Sequence, residues 1–141
     1  MKNIEKLNKA EKRHISMLGS ILILFDPDCG DQQPLDYYEY EMLYGDIDIN
    51  NDEHRIVAIQ KFLISSLNKL NQQSINSTKN VLLLAIKYSD SKEVEKEFAY
   101  IEAIPFDKTI KDKRGFIELI YKQWFDEDPC VSQYNQKQFY F

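Results

Sequence analysis

Val81-Leu82-Leu83-Leu84-Ala85-Ile86-Lys87-Tyr88 is a dense apolar run whose length and composition fit either a buried strand or a helix, and its class decides the fold. As a strand it would pair with Phe98 to Phe106 through a hairpin at Asp90, giving an α+β domain with a hairpin at 80–105. As a helix it would pack Val81, Leu82, Ala85 and Tyr88. Leu and Ala outnumber β-branched residues in the run, which weakens the strand. Just downstream, Asp90 and Glu93 have capping-box spacing, and Val94, Phe98 and Ile101 then recur at four and three residues. The helical reading is favoured, and with it an all-α domain.

The flanks agree with it. From Asn3 to Phe25 the apolar residues fall at Ile4, Leu7, Ile15, Leu18, Ile21, Leu22 and Phe25. The 15, 18, 22, 25 series has helical spacing, with Lys and Glu on the outer face of the first half. Pro27 stops this helix, and Asp26 to Pro34 reads as a loop. Asp36 with Glu39 has capping-box spacing, so a short helix is expected from Tyr37 to Tyr44, ended by Gly45. A long helix is expected from about Asp52 to Gln72, its stripe made of Ile56, Ile59, Leu63, Leu67 and Leu70, flanked by Val57, Phe62 and Ile64. Pro105 closes the segment after Ile101. Asp112 then caps a last helix with Phe116, Ile117, Ile120, Tyr121 and Trp124 on one face and Pro129 beyond its end. In the tail, Tyr134, Phe139, Tyr140 and Phe141 are costly to leave in water and are expected to dock on the core or on a partner. The whole reads as a single domain over 1–141 with five to seven helices.

Length and composition fit that outline. A chain of 141 residues with 43% apolar content is enough for one core, without the help of disulfides or a metal. Cys29 and Cys130 form no C-x-x-C pair and read as idle thiols of a reducing compartment. The run from Ile15 to Phe25 follows a basic stretch, as in a signal peptide. It carries Glu5 and Glu11 upstream, lacks a small-residue cleavage site, and is too short to span a bilayer. A buried helix and a cytoplasmic location are the expectation. The Asn76-Ser77-Thr78 sequon then carries no weight.

The charge is unevenly placed. The net charge is −5, which argues against nucleic acid or an anionic membrane as partner. From His14 to His54 no Lys or Arg occurs, while Asp26, Asp28, Asp31, Asp36, Glu39, Glu41, Asp46, Asp48, Asp52 and Glu53 all fall there. The flanking segments each carry a positive excess, so the whole negative balance comes from this stretch. Tyr37, Tyr38, Tyr40 and Tyr44 are interleaved with the acids. On a helix Tyr37, Tyr40, Glu41 and Tyr44 share one side. Tyr is a rigid, amphipathic anchor enriched at binding hot spots. Crowded carboxylates repel one another, and a basic partner would turn that repulsion into attraction. The expected partner-binding residues are Asp36, Tyr37, Tyr38, Glu39, Tyr40, Glu41, Tyr44, Asp46, Asp48, Asp52 and Glu53.

Catalytic patterns do not emerge. Asp46-Ile47-Asp48-Ile49-Asn50-Asn51-Asp52 opens like a calcium-binding loop, but Asn51 stands where Gly is needed and Val57 where the closing Glu belongs. His14 and His54 sit in no H-E-x-x-H pattern, and no nucleophile elbow or phosphate loop occurs. The chain is therefore read as a non-enzyme with no cofactor and no metal.

In size, charge and the acid and Tyr content of Asp36 to Glu53, the chain resembles a bacterial immunity protein. That resemblance implies tight binding and neutralisation of a cognate toxin, a basic nuclease in many cases, with the acids imitating nucleic-acid phosphates or pairing with Lys and Arg around the toxin's active site. Two other readings stand beside it. One is an intracellular scaffold or regulator whose helices over Val81 to Ile104 and aromatic tail bind another protein or a second copy. The other is a small metal-dependent enzyme using Asp46, Asp48, Asp52 and His54.

Overall fold

A computed structural model of the chain describes residues 7–25, 47–103, 106, 108–130 and 133–134. Every regular element among them is helical. The expected Tyr37–Tyr44 helix, the Asp26–Pro34 loop and the terminal aromatics beyond Tyr134 lie outside the described residues.

The decisive run is a helix. Residues Gln72–Lys87 form α4, opened by Asn71, whose side-chain oxygen accepts the Ser74 N–H at 2.8 Å. All six residues from Val81 to Ile86 are buried. The half of α4 that is apolar all round must be enclosed on all sides, and the N-terminal helices and the last helix of the chain pack against it. Sequence reading stopped this helix short at its N-terminal end, because Gln72 to Asn80 is a polar stretch. Ser77, Thr78 and Asn80 are nonetheless buried, and Thr78 Oγ1 donates back to the Ser74 carbonyl at 2.8 Å.

The N-terminal segment is a chain of short helices. Helix α1 spans Lys9–Ile15 and α2 spans Leu18–Leu22, followed by a 3-10 turn, Ile23–Phe25. A capping box starts α1: Glu11 N–H donates to Asn8 Oδ1 at 2.8 Å and Asn8 N–H to Glu11 Oε1 at 3.0 Å. Capping turns Glu11 inward and buries it, which corrects its expected place on the outer face.

The third helix, α3, runs through Asp52–Ala58, a π-helical turn Ile59–Leu63 and Ile64–Leu67. It ends well before Gln72, where the expectation placed its end. A π turn inserts one residue and shifts the inward face. Ala58, Ile59, Phe62, Leu63 and Leu67 are buried, whereas Ile56 and Leu70 of the expected stripe are only part-buried and Val57 is exposed. Trp124 Nε1 donates to Asn68 Oδ1 at 3.2 Å, tying the end of α3 to α6.

Helix α5 spans Lys92–Ala103 and α6 spans Lys113–Phe125. The cap of α5 is Ser91, whose Oγ accepts the Val94 N–H at 3.2 Å, one residue on from the expected Asp90. Val94, Phe98 and Ile101 are fully buried, as their spacing requires. Asp112 caps α6 as expected, accepting the Gly115 N–H at 3.1 Å. A Cβ at position 115 would run into the Asp112 carboxylate, so Gly115 leaves the cap undisturbed. Phe25 meets Phe106 and Phe116 at ring separations of 5.5 and 5.7 Å, and Phe98 meets Phe116 at 5.7 Å, so an aromatic knot joins α2, α5 and α6.

At one edge of this core a cation is buried. Arg55 is 3% exposed. Its Nε donates to the Ile49 carbonyl and its Nη2 to the Lys111 carbonyl and, at 3.2 Å, to Asn50 Oδ1. Asn50 completes the clamp: its Oδ1 accepts the Lys111 N–H at 2.8 Å and its Nδ2 donates to the Thr109 carbonyl at 3.1 Å. The guanidinium also lies 5.1 Å from the Phe116 ring centre. Two loops more than fifty residues apart in sequence are joined through one side chain, with Ile49 and Ile110 buried beneath them. Arg55→Met keeps the apolar stem and removes the donors, leaving buried carbonyls without partners. The expected loss of unfolding free energy in urea titration is about 3 kcal/mol. Arg114→Met, which breaks only an exposed pair with Glu118, should change stability by less than about 1 kcal/mol.

Candidate functional site

Of the residues expected to bind a partner, Asp36, Tyr37, Tyr38, Glu39, Tyr40, Glu41, Tyr44 and Asp46 lie outside the described residues. Asp48, Asp52 and Glu53 are described, and all three are exposed. Asp52 and Glu53 occupy the first turn of α3, where carboxylates favour the helix dipole. Among the described residues neither has an ion-pair partner within 4.0 Å, while Asp48 lies 3.8 Å from Lys108 Nζ. The Asp48 carboxylate also accepts the Asn50 N–H at 3.0 Å. That hydrogen bond, with Lys108, His54 and Arg55 nearby, holds the Asp48 carboxyl below the usual carboxylate range. The first cation after the acidic stretch, Arg55, points into the core clamp. The acids are thus set on the surface of an ordered corner whose nearest cation in sequence is turned away from solvent.

The same corner bears on the metal reading. His54 Nδ1 accepts the Asp48 backbone N–H at 2.8 Å, so that nitrogen is engaged in holding the loop. Asn51 Oδ1 caps α3 by accepting the His54 N–H at 3.2 Å. Among the described residues no three His, Cys, Asp or Glu side chains converge to hold a metal ion.

A second acidic site escaped sequence reading. Glu97 sits on the buried face of α5, between Val94 and Ile101, and is only 7% exposed. Among the described residues it has no hydrogen-bond donor and no ion-pair partner. Burial pushes its carboxyl above the usual range, and the neighbouring Lys96 only partly opposes this. The carboxylate lies against Gly19 of α2: a Cβ there would stand 3.1 Å from Glu97 Oε2 and 2.7 Å from the Tyr100 ring. Gly19 therefore permits the close approach of α5. Tyr100 is 56% exposed and, with Glu97, lines an open groove between α1–α2 and α5. The signal was present in the sequence as a glutamate falling at a buried position of the 94, 98, 101 stripe.

One other polar cluster is internally satisfied. Lys79 Nζ lies 2.7 Å from Glu127 Oε1, to which Tyr121 Oη also donates at 3.0 Å, and the same ammonium stands 4.9 Å from the Phe125 ring centre. This cluster ties α4 to the end of α6. No described helix is long and apolar enough to cross a membrane.

Comparison of the chain with protein-family models, with characterised proteins and with solved structures returns no match.

Glu97 has a pH consequence whose sign follows from its raised pKa. The folded state favours the protonated acid, so its contribution to stability is full below the unfolded carboxylate value of about 4.3 and is lost as pH rises through the folded-state pKa. Glu97→Gln, which keeps the shape and removes the charge, should melt above the parent near neutral pH, and the difference should vanish below that carboxylate value. Thermal melts followed by circular dichroism across the acid range check both halves.

Proposed function

We propose that the chain is an immunity protein: a binding protein without catalytic activity of its own that captures a basic, nuclease-type toxin and blocks it. The observation that carries this reading is that Asp52 and Glu53 are exposed and, among the described residues, have no ion-pair partner within 4.0 Å, on an ordered helix end beside Asp48, although Asp52 and Asp48 also feel the buried Arg55. These acids lie in a stretch of sequence with no Lys or Arg, and among the described residues the one ion pair at this corner, Lys108 with Asp48 at 3.8 Å, is brought in from a distant loop. Preorganised carboxylates give a partner's Lys and Arg side chains fixed acceptors, which raises the association rate and makes binding strongly dependent on salt. The Asp36–Asp46 segment, with its tyrosines, would extend the same surface and supply apolar anchors. Such binding needs no cofactor and no metal, and an inhibitor of a toxin that enters from outside would act in the cytoplasm.

The test is direct. The protein encoded beside this gene, if basic and toxic, should bind the purified chain and lose its toxicity in co-expression. Asp48→Lys, Asp52→Lys and Glu53→Lys together should weaken that binding at least about 100-fold, since close interfacial charge pairs couple by roughly 1.5–7 kcal/mol each. Raising ionic strength should weaken the parent far more than the triple variant. Unchanged affinity after this charge reversal, measured by calorimetry with folding confirmed, would remove the proposal's basis.

A further inference from the structure

The groove between α1–α2 and α5 joins three features that ordinary packing does not require together. As a residue Glu97 is more than nine-tenths buried, and its carboxylate, which faces the open groove, has no hydrogen-bond or ion-pair partner among the described residues. Isolated buried carboxylates are costly and are normally paired, neutralised or replaced by apolar residues. Tyr100, its neighbour one turn along, is a large aromatic left more than half exposed. Gly19 is the small residue that lets both approach α2. Around Glu97 the groove has a volume of about 280 Å³, lined also by Lys12, Ile15, Ser16, Glu93, Lys96 and Tyr100. A continuation of about 180 Å³ runs over Ser16, Gly19, Ser20 and Ile23 beside Tyr100.

We propose that this groove receives an arginine side chain of a protein partner, with the Glu97 carboxylate as the acceptor and Tyr100 as the stacking and covering group. A cation fits, because the one charge sunk in the groove is negative and, among the described residues, has no hydrogen-bond or ion-pair partner. The rim carries Lys12, whose ammonium is 3.8 Å from Glu93 and so already has an anion, and Lys96, which is exposed and only partly offsets the Glu97 charge. Arginine fits better than lysine for two reasons. Its planar fork can meet both carboxylate oxygens, and its weakly hydrated guanidinium stacks on an aromatic ring and is less costly to desolvate. The groove is open along its length, as an incoming side chain on a protein surface requires. The inference stands independently of the toxin-binding reading, because it rests on different helices and on a different carboxylate.

The probe is a five-residue peptide, capped at both ends, with one central arginine among alanines and serines. It is titrated into the ¹⁵N-labelled full chain and followed by amide chemical shifts. Saturable shifts are expected at Ser16, Gly19, Ser20 and Tyr100. The same peptide with citrulline, which keeps the shape and loses the charge, should bind at least tenfold more weakly, and the lysine peptide should fall between them. Glu97→Gln should weaken the arginine peptide at least tenfold, and Tyr100→Ala, a change at an exposed position, should weaken it as well. Asp52→Lys with Glu53→Lys should leave it unchanged, which separates this groove from the acidic corner. The proposal is overturned if arginine and citrulline peptides bind alike, if Glu97→Gln binds as the folded parent does, or if the shifts fall outside the α2–α5 groove.

Discussion

The Arg55 guanidinium is placed where few cations are found, beneath the surface and between two loops, and its donors go to the Ile49 and Lys111 carbonyls and to Asn50. Burial lowers its pKa, and the fields of Asp52, Asp112 and Asp48 oppose that change. The charge is kept because backbone oxygens, a nearby ring and three carboxylates together replace the lost water. In return the loop that opens α3 and the loop that opens α6 become one unit. The caps at Asn51 and Asp112 lie in or beside those loops, so the start of both helices depends on the same clamp.

From that clamp the rest of the core follows by burial. Helix α4 runs through the interior with Val81 to Ile86 buried, and α1, α2 and α6 close around it. The phenylalanines at 25, 98, 106 and 116 fill the space where α2, α5 and α6 meet. The π turn Ile59–Leu63 in α3 sets part of that core's lining. An inserted residue changes which side chains face inward, and Phe62 and Leu63 enter the core while Val57 is left on the outside.

The carboxylates divide into two physical kinds. Asp48, Asp52 and Glu53 remain in water, where their mutual repulsion is mild and a partner's cations meet them with little desolvation. Glu97 is largely buried, and burial raises its pKa, a cost that a guanidinium in the groove would relieve. The first kind suits long-range steering and the second suits a short-range, geometrically demanding contact. A surface that held both would discriminate among basic proteins rather than bind them indifferently.

The sequence by itself favoured the helical class over a hairpin and set the register of α5 and α6, the Asp112 cap and the burial of Val94, Phe98 and Ile101, because periodicity and capping are local and recur within one or two turns. It also located the cation-free stretch, whose Asp36–Asp46 part lies outside the described residues. Only the tertiary structure decided that polar Gln72 to Asn80 continues α4, since burial of Ser77, Thr78 and Asn80 outweighs the weak propensities of those residues. It alone shortened α3, moved the α5 cap from Asp90 to Ser91, and turned Glu11 inward. The pairing of Arg55 with Lys111 and of Glu97 with Gly19 joins residues dozens of positions apart. Such contacts are set by how helices pack against each other, and no local pattern encodes which distant loop or glycine a side chain will meet.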